Sequence, residues 1–141
     1  MEFRNILVPV SGTKADEEAM RLACELAKKK KGKIRAVYVI TIKRSLPLEA
    51  EIDPEIRKAE DILDNMETVA EEQDYEVETD LLQAREAGLT IIDVAVERKV
   101  DLIVIGVSYK KRFGQFSLGS VVPYVLKNAP CRVILYHQSL R

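Results

Sequence analysis

A chain of 141 residues is the size of one ordinary domain and can bury a hydrophobic core. Hydrophobic residues make up 47% of it and charged residues 32%, and the formal net charge of −1 excludes a global field that would attract nucleic acid or an anionic membrane. No apolar run approaches the roughly 20 residues of a spanning helix, and the N-terminus lacks a signal-peptide layout. We therefore expect a single cytoplasmic domain, residues 1–141, with neither nucleic acid nor membrane as a partner.

Strand-like and helix-like segments alternate along the chain. Asn5 to Val10 is a short apolar run that predicts the first strand, and alanines and leucines at helical spacing predict a helix from Lys14 to Lys31. Thr13 followed three residues later by Asp16 predicts a capping box at the start of this helix. The lysines at its end complement the helix dipole, and Gly32 is expected to adopt the left-handed conformation that ends it.

The middle of the chain predicts a strand, a helix and a second strand. Lys33 to Ile42 is the predicted second strand. Asp53 is a suitable N-cap, and Pro54 a suitable first helical residue, for a helix that continues to about Gln73. Tyr75 to Leu82 alternates between apolar and polar residues, which predicts a half-buried strand near the sheet edge.

The last part of the chain repeats this alternation. Gly88 precedes a predicted short helix, and Val100 to Ile105 is nearly all apolar, as a central parallel strand should be. A further helix is predicted from Ser120 to about Asn128, and a final strand from Arg132 to Tyr136. The short helix is predicted to bury Ile91, Ile92, Ala95 and Val96. The whole pattern predicts an α/β protein with a doubly wound, open parallel sheet covered by helices on both faces.

Two loops have the chemistry of a ligand site. Open parallel sheets bind ligands beyond the carboxyl ends of their strands, where the strand order reverses. One loop spans residues 10–13 after the first strand, and the other spans residues 106–120 after the fourth. Both lead into a helix N-terminus, where unpaired N–H groups and the helix dipole favour an anion. If the two strands are neighbours, the loops face each other across one crevice.

These residues resemble the universal stress protein family over essentially the whole chain. ILVPVSGTKADEEAMRLACELA is similar to the family's opening strand, Asp-Gly-Ser turn and Ala/Leu-rich helix, and VYVI, VDLIVIG and APCRVIL resemble later strands. The nucleotide-binding branch has a glycine, two residues, a second glycine, nine residues and then Gly-Ser or Gly-Thr. Gly106, Tyr109 and Gly119-Ser120 keep that spacing, with tyrosine in place of the second glycine.

The resemblance implies a fold, a ligand and an assembly. It implies a five-stranded sheet in the order 3-2-1-4-5, ATP as the ligand with or without Mg²⁺, and a homodimer formed through Arg132 to Tyr136. The adenosine side of the site would comprise Pro9, Val10, Ser11 and Val39. The phosphate side would comprise Ile105, Gly106, Tyr109, Gly119, Ser120, Val121 and Val122.

Three departures from the family pattern bear on ATP binding. Ser11 stands where the binding branch usually has aspartate, and a neutral hydrogen bond is worth about 1 kcal/mol against about 1.5–3 for a charge-assisted one. Tyr109 replaces a glycine, and a positive φ would cost tyrosine about 1–3 kcal/mol unless the loop takes another path. Val122 replaces a residue that often carries a hydroxyl group, and a valine there is expected to pack inward. Weakened binding and lost binding both stay open.

The leading hypothesis is a universal stress protein that binds ATP or another nucleotide and regulates an unknown protein partner through its homodimer. We expect no catalytic residues, since neither loop carries an evident general base, although slow ATP hydrolysis stays open. The alternative is a dimeric interaction or scaffold protein of the same family that binds no nucleotide. An adenylating enzyme is disfavoured because Ser11 to Asp16 match only part of the SGGxDS loop of pyrophosphatase-type ATP enzymes: the second glycine is missing and the aspartate is shifted. A phospho-receiver domain is disfavoured because no acidic pair follows the first strand.

Two further features carry no predicted site. The two cysteines form neither a disulfide framework nor a metal-ligand spacing, so we expect two buried thiols and no metal site. The polar stretch from Lys43 to Asp53 is either a lid over the crevice or a plain connection.

Overall fold

The computed structural model describes residues 2–109 and 120–139, with side chains for 2–108 and 120–137. Strands and helices alternate strictly in these ranges: β1 Asn5–Pro9, α1 Lys14–Lys28, β2 Lys33–Thr41, α2 Asp53–Glu72, β3 Glu78–Ala84, α3 Ala87–Glu97, β4 Leu102–Tyr109, α4 Val121–Asn128 and β5 Arg132–Ser139. None of the helices so described is long and apolar enough to cross a bilayer.

The strands form one parallel sheet in the order β3-β2-β1-β4-β5, which confirms the predicted fold. β1 pairs with β2 along its whole length, from Asn5 with Lys33 to Pro9 with Val37. With β4 it pairs only through Ile6 with Leu102 and Leu7 with Ile103. Beyond Leu7 the two central strands therefore separate, and a crevice opens at their carboxyl ends.

Two hydrophobic cores lie on opposite faces of the sheet because successive strand residues point to opposite sides. The first core joins even-numbered residues of β1 and β4 to α1 and α2, and includes Ile6, Val8, Val104, Met20 and Met66. The second joins the odd-numbered residues to α3 and α4, and includes Leu7, Ile103, Ile105, Ile91 and Val125. Burying each large aliphatic side chain contributes roughly 1.5–3 kcal/mol. The continuous apolar run of β4 reflects this burial on both faces.

The end of α1 differs from the prediction. The helix ends at Lys28 instead of Lys31, and Lys31 adopts the left-handed conformation, with φ 52°, that was expected of Gly32. Gly32 is required for another reason: a Cβ atom there would lie 2.5 Å from the carbonyl oxygen of Phe3. The glycine allows β2 to start directly beside the chain that enters β1.

The starts of β3 and α2 also differ from the sequence prediction. β3 begins at Glu78 instead of Tyr75, because the Tyr75 N–H donates to the Ala70 carbonyl (2.9 Å) and so closes α2. α2 has Ile52 as its N-cap, one residue before the predicted Asp53.

The fourth and fifth strands are longer than predicted. They remain paired from Leu102 with Arg132 to Tyr109 with Ser139, so β4 extends past Ile105 and β5 past Tyr136. Sequence periodicity could not show this, because the extension depends on each strand having the other as a partner.

The buried face of α3 is rotated from the predicted one. Val96 is 60% exposed, whereas Val94 is buried. The buried face is centred between Ile91 and Ala95, which turns Val96 towards solvent.

A buried carboxylate organises the turn between β1 and α1. Asp16 is 2% exposed, and it is the single buried charged side chain in the part of the chain that the structure describes. It accepts hydrogen bonds from the N–H groups of Gly12 (2.7 Å), Thr13 (3.1 Å) and Ser11 (3.2 Å). This confirms the predicted capping box and extends it over the whole turn. Burial raises the pKa of Asp16 above its ordinary value of 3.8, and the three N–H donors oppose that rise.

Replacing Asp16 should destabilise the fold. Asp16→Ala leaves three backbone donors without their acceptor, and we expect it to lower the free energy of unfolding by about 2–4 kcal/mol. Asp16→Asn keeps one acceptor oxygen and should cost less. Urea unfolding monitored by circular dichroism measures both values. Asp64→Ala, on the exposed face of α2, is the matched control and should change stability little. Equal stability of Asp16→Ala and this control would contradict the role of the carboxylate.

The Asp16 carboxyl group should also give a pH signature. Its pKa is higher in the folded chain than in the unfolded one, so the folded protein binds the proton more tightly. The contribution of Asp16 to stability then falls as the pH rises from about 3.8 through the folded-state value. We expect Asp16→Asn to gain stability relative to the wild type as the pH rises above about 3.8. A change in the opposite direction would show that the hydrogen bonds outweigh burial.

Candidate functional site

A cavity of about 310 Å³ occupies the crevice between the separating ends of β1 and β4. This volume lies at the lower end of the range found for small-molecule sites. The cavity is at the carboxyl edge of the sheet and at the point where strand order reverses, which is the usual ligand position in open α/β sheets. β2 and the first turns of α3 and α4 complete its walls.

The structure brings most of the predicted site residues together around this cavity. Its lining includes Pro9, Val10, Ser11, Val39, Ile105, Gly106, Ser120, Val121 and Val122. Gly119 and the side chain of Tyr109 lie outside the described residues. The ligand-binding role of the predicted residues stays a prediction.

The backbone of Tyr109 is better placed than expected. Tyr109 is the last residue of β4 and pairs with Ser139 of β5, so its main chain is an extended strand. The cost of a tyrosine held in a glycine conformation therefore does not arise at this position. Tyr109, which stands where the nucleotide-binding pattern has its second glycine, therefore continues β4 as an ordinary strand residue.

The cavity also has walls that the sequence did not reveal. They are formed by Thr13, Val37, Tyr38, Ala87, Ile91, Val107 and Ser108. Ala87 and Ile91 belong to α3, which follows the edge strand β3 and crosses back over the second face of the sheet. No local pattern indicates that crossing. Ser108 could have been found by extending the predicted strand three residues past Ile105, since Ser108 then shares a face of the sheet with Gly106.

The lining is apolar and uncharged. No Asp, Glu, Lys, Arg or His belongs to the part of it that the structure describes, and its polar side chains are those of Ser11, Thr13, Tyr38, Ser108 and Ser120. Such a wall suits an apolar ring system that makes a few hydrogen bonds. It does not provide a charged partner for a phosphate.

The two helix N-termini at the cavity differ in what they offer an anion. The N–H groups of Ser11, Gly12 and Thr13 donate to the Asp16 carboxylate, so these three donors are not free for an anion, and anion binding at the first turn of α1 stays a prediction. At the other side, Ser120 is the exposed N-cap of α4. Anion binding at α4 stays a prediction.

Val39 places backbone groups at the cavity. The Val37 carbonyl accepts from the Val10 N–H (2.9 Å), the last bond between β2 and the chain leaving β1. Alternate residues of a parallel strand direct their backbone groups to the same neighbour. The N–H and C=O of Val39 therefore point to the side on which β1 has already ended at Pro9. They offer a donor and an acceptor side by side.

Gly106 is required by packing. A Cβ atom at this position would lie 2.2 Å from the carbonyl oxygen of Ala15 and 2.9 Å from its Cβ atom. The first turn of α1 thus rests directly on β4. This contact sets the distance between the helix and the sheet at the base of the cavity.

The segment between β2 and α2 is held away from the cavity. The Gln83 side-chain amide donates to the carbonyls of Leu48 and Ala50, each at 2.9 Å, and Arg85 donates to the Ile42 carbonyl at 3.2 Å. None of residues 43–52 belongs to the cavity lining that the structure describes. The segment is a connection anchored on β3, and not a wall of the site.

Other reactive groups lie elsewhere. Burial raises the pKa of Cys24, on α1, to about 11, which keeps its thiol protonated. Cys131 is half-buried, so the expectation of two buried thiols is wrong for this one. Across residues 2–109 and 120–139, no cluster of three or more His, Cys, Asp or Glu side chains could hold a metal ion.

Comparison with known proteins identifies relatives over nearly the whole chain. The profile of the universal stress protein family matches residues 2–137. A universal stress protein of Methanocaldococcus jannaschii is 30% identical over 139 residues, covering 94% of this chain and 81% of that protein. A universal stress protein structure from Archaeoglobus fulgidus has a TM-score of 0.80 at 25% identity, covering 94% of this chain and 97% of that one. Another, in complex with dAMP, has a TM-score of 0.76 at 26% identity, with coverage of 96% and 98%.

Gly106→Ala should test the packing at the base of the cavity. The added methyl group meets the backbone of Ala15, which cannot rotate away, so we expect a loss of about 2 kcal/mol or more in unfolding free energy. Gly88→Ala is the milder contrast: its methyl group meets side-chain atoms of Tyr124 at 2.9–3.1 Å and not backbone atoms, and alanine favours the helix by about 1 kcal/mol, so we expect a smaller loss than for Gly106→Ala. Thermal and urea unfolding report both. A Gly106→Ala protein as stable as the wild type would contradict the close contact.

Proposed function

The chain belongs to the universal stress protein family, and from that premise we propose that it is a regulatory module that binds a nucleotide and acts through a homodimer. The observation that carries the proposal is the cavity at the separation of β1 and β4, with its apolar walls and the free edge of β2 at Val39. The Archaeoglobus fulgidus relative solved with dAMP supports a nucleotide as the class of ligand.

The adenine ring is the part of the ligand that the cavity suits best. A flat ring can lie among the aliphatic side chains of Val37, Ile105 and Val107. The N–H and C=O of Val39 match the adjacent acceptor and donor on the edge of adenine. This pairing is what would favour adenine over guanine, whose edge presents the opposite pattern.

We propose that the phosphates extend towards the N-terminus of α4. Ser120 is the N-cap residue of that helix, and the helix dipole favours negative charge there, whereas the N–H groups of the α1 turn already donate to the Asp16 carboxylate. Val122 is 6% exposed and packs in the second core, as expected of a valine in place of a hydroxyl residue. ATP is the nucleotide that we propose, with Mg²⁺ as its usual counterion.

The proposed role is binding without fast turnover. The described cavity residues include no carboxylate, imidazole or amine that could act as a general base on an attacking water. ATP would then bias a surface of the protein, or its dimer, for a protein partner, and would not be consumed at an enzymatic rate.

β5 is the surface proposed for the homodimer. It lies at the edge of the sheet, with Val133 and Leu135 half-buried against the second core and Ile134 against the first. An apolar edge strand that keeps unpaired backbone groups readily pairs with another chain. Pairing of two copies of β5 would continue the sheet across a two-fold axis.

A dimeric interaction protein without a ligand is the second candidate. Two observations favour it. Ser11 stands where the nucleotide-binding branch usually has an aspartate, and the backbone N–H groups of the α1 turn already donate to Asp16. The two candidates share the fold and the dimer and differ only in whether the cavity is occupied.

Calorimetric titration with Mg-ATP, ADP and GTP separates the two candidates. We expect saturable ATP binding with Kd between about 10 μM and about 1 mM, because neutral groups replace the charged ones, and weaker binding of GTP. Ala87→Trp places an indole at the cavity wall and should weaken ATP binding at least about tenfold. Asp93→Trp, exposed on the same helix and outside the cavity, should bind as the wild type does. No signal at millimolar ATP would leave the ligand-free candidate.

The dimer has its own test. Val133→Lys places a charge in the half-buried edge strand, and we expect the dimer to dissociate to monomers in sedimentation or light-scattering measurements. Circular dichroism checks that the variant folds. A folded Val133→Lys protein that remains dimeric would contradict pairing through β5.

A further inference from the structure

A second cavity lies at the amino edge of the sheet, opposite the candidate site. This amino-edge cavity has a volume of about 290 Å³ and is bounded by the amino ends of β1 and β2, the first residue of β3 and the chain that follows α3. Its lining includes three cations, Lys33, Arg35 and Arg98, whereas the described lining of the candidate site includes none. Positive charge is therefore gathered at the edge of the sheet where the nucleotide is not proposed to bind.

The three cations come from two layers of the fold. Lys33 and Arg35 are alternate residues of β2, so they project from the same face of the sheet. Val37, the next residue in that alternation, belongs to the second core, which α3 covers. Arg98 directly follows α3 and lines the cavity from the helix layer. Cations of the sheet and of the helix layer thus border one space.

Hydrogen bonds hold the end of α3 beside this cavity. The N–H groups of Arg98 and Lys99 donate to the carbonyls of Val94 (2.9 Å) and Val96 (3.3 Å). The side-chain amide of Asn5, on β1, donates to the Lys99 carbonyl (3.2 Å). These bonds occupy carbonyl groups at the end of the helix, which would otherwise present negative partial charge to the cavity. The fold therefore fixes the backbone that carries Arg98.

Only one of the three cations has counter-ions among the described residues. The Arg35 guanidinium forms ion pairs with Glu78 and with Asp80 (2.7 Å), and 17% of its side chain is exposed. Lys33 and Arg98 are exposed, and within residues 2–108 and 120–137 their side chains make neither an ion pair nor a hydrogen bond. The lining then carries two more positive than negative charges, and Asp80 behind Arg35 offsets one of them.

The chemistry of this lining suits a phosphate group. Like charges that border one cavity repel each other, and an anion between them removes the repulsion. Ammonium and guanidinium groups donate hydrogen bonds and accept none, so the ligand must be rich in acceptors. The planar fork of a guanidinium matches the oxygens of a phosphate. A volume of about 290 Å³ is close to the lower limit of small-molecule sites, which favours a small ligand.

We propose that the amino-edge cavity binds a small phosphate-bearing anion, free phosphate or a phosphate ester, through Lys33 and Arg98. Arg35, held by its two carboxylates, supplies positive charge at the back of the site. The inference does not depend on the proposed nucleotide function, because the two cavities lie at opposite edges of the sheet. Only α3 contributes to both, with its first turns at the candidate site and its end at the amino-edge cavity.

An NMR titration of the ¹⁵N-labelled full chain with inorganic phosphate, at constant ionic strength, tests the site. We expect saturable shifts of the amide signals of residues 33–35 and 98–100, with Kd between about 0.1 mM and about 10 mM. Glycerol 3-phosphate distinguishes the two forms of the ligand. Tighter binding than that of inorganic phosphate assigns the site to phosphate esters, weaker binding assigns it to free phosphate, and either result supports the proposal.

Variants separate a local site from an effect of net charge. Lys33→Ala and Arg98→Ala should each weaken phosphate binding about tenfold or more, because each removes a charge-assisted hydrogen bond. Both side chains are exposed, so circular dichroism should show an unchanged fold. Lys58→Ala and Arg57→Ala, exposed on α2, remove the same charges outside the cavity and should bind phosphate as the wild type does.

Four results would overturn the inference. The first is an absence of shifts in these amide signals at about 50 mM phosphate. The second is shifts confined to the amides around Ser120, which would place the phosphate at the N-terminus of α4. The third is a Lys33→Ala or Arg98→Ala variant that binds phosphate no more weakly than the α2 variants do. The fourth is tighter binding of succinate than of phosphate, which would assign the cavity to dicarboxylates.

Discussion

The hydrogen bonds from the β1–α1 turn to the Asp16 carboxylate are the constraint on which the crevice depends. The turn must reverse the chain between a buried strand and a helix packed on the sheet, and Gly12, with φ 95°, allows the reversal. The carboxylate then fixes the three N–H groups of the turn. Because Ala15 lies in the same first turn and packs against Gly106 of β4, the start of α1 is fixed both to the β1–α1 turn and to the sheet. Buried polar groups that are fully hydrogen-bonded specify one arrangement in this way.

The same constraint decides what the crevice can bind. β1 and β4 pair over a short stretch and then separate, which leaves a space that side chains from both cores line. Since the α1 dipole is already complemented by Asp16, the recognition elements that the described residues offer are apolar surfaces, hydroxyl groups and the backbone of Val39. A ligand site of this kind gains affinity mainly from burial of a ring, with hydrogen bonds setting its orientation. Among the described residues, the helix end that favours phosphate charge is that of α4.

The proposed regulatory role rests on the combination of a ligand cavity and an exposed sheet edge in one small domain. The α3 and α4 helices connect the two features: their first turns line the cavity, and their buried faces pack on the strands that lead to β5. Occupancy of the cavity and the state of the β5 edge are thus connected through one core. Coupling through that core would require the ligand to favour one of two arrangements.

The sequence by itself determined the order and type of the elements, the sheet class and the capping box, because hydrophobic period and helix-end chemistry are local. The resemblance to a family added the strand order and most of the cavity lining, which composition could not give. Only the tertiary structure decided that Lys31 and not Gly32 is left-handed, that β4 extends through Ser108 to Tyr109, and that Asp16 is buried. These outcomes depend on contacts between segments far apart in the chain: Phe3 against Gly32, β4 against β5, and Ala15 against Gly106. Such contacts form only when the sheet closes, so no window of neighbouring residues contains them.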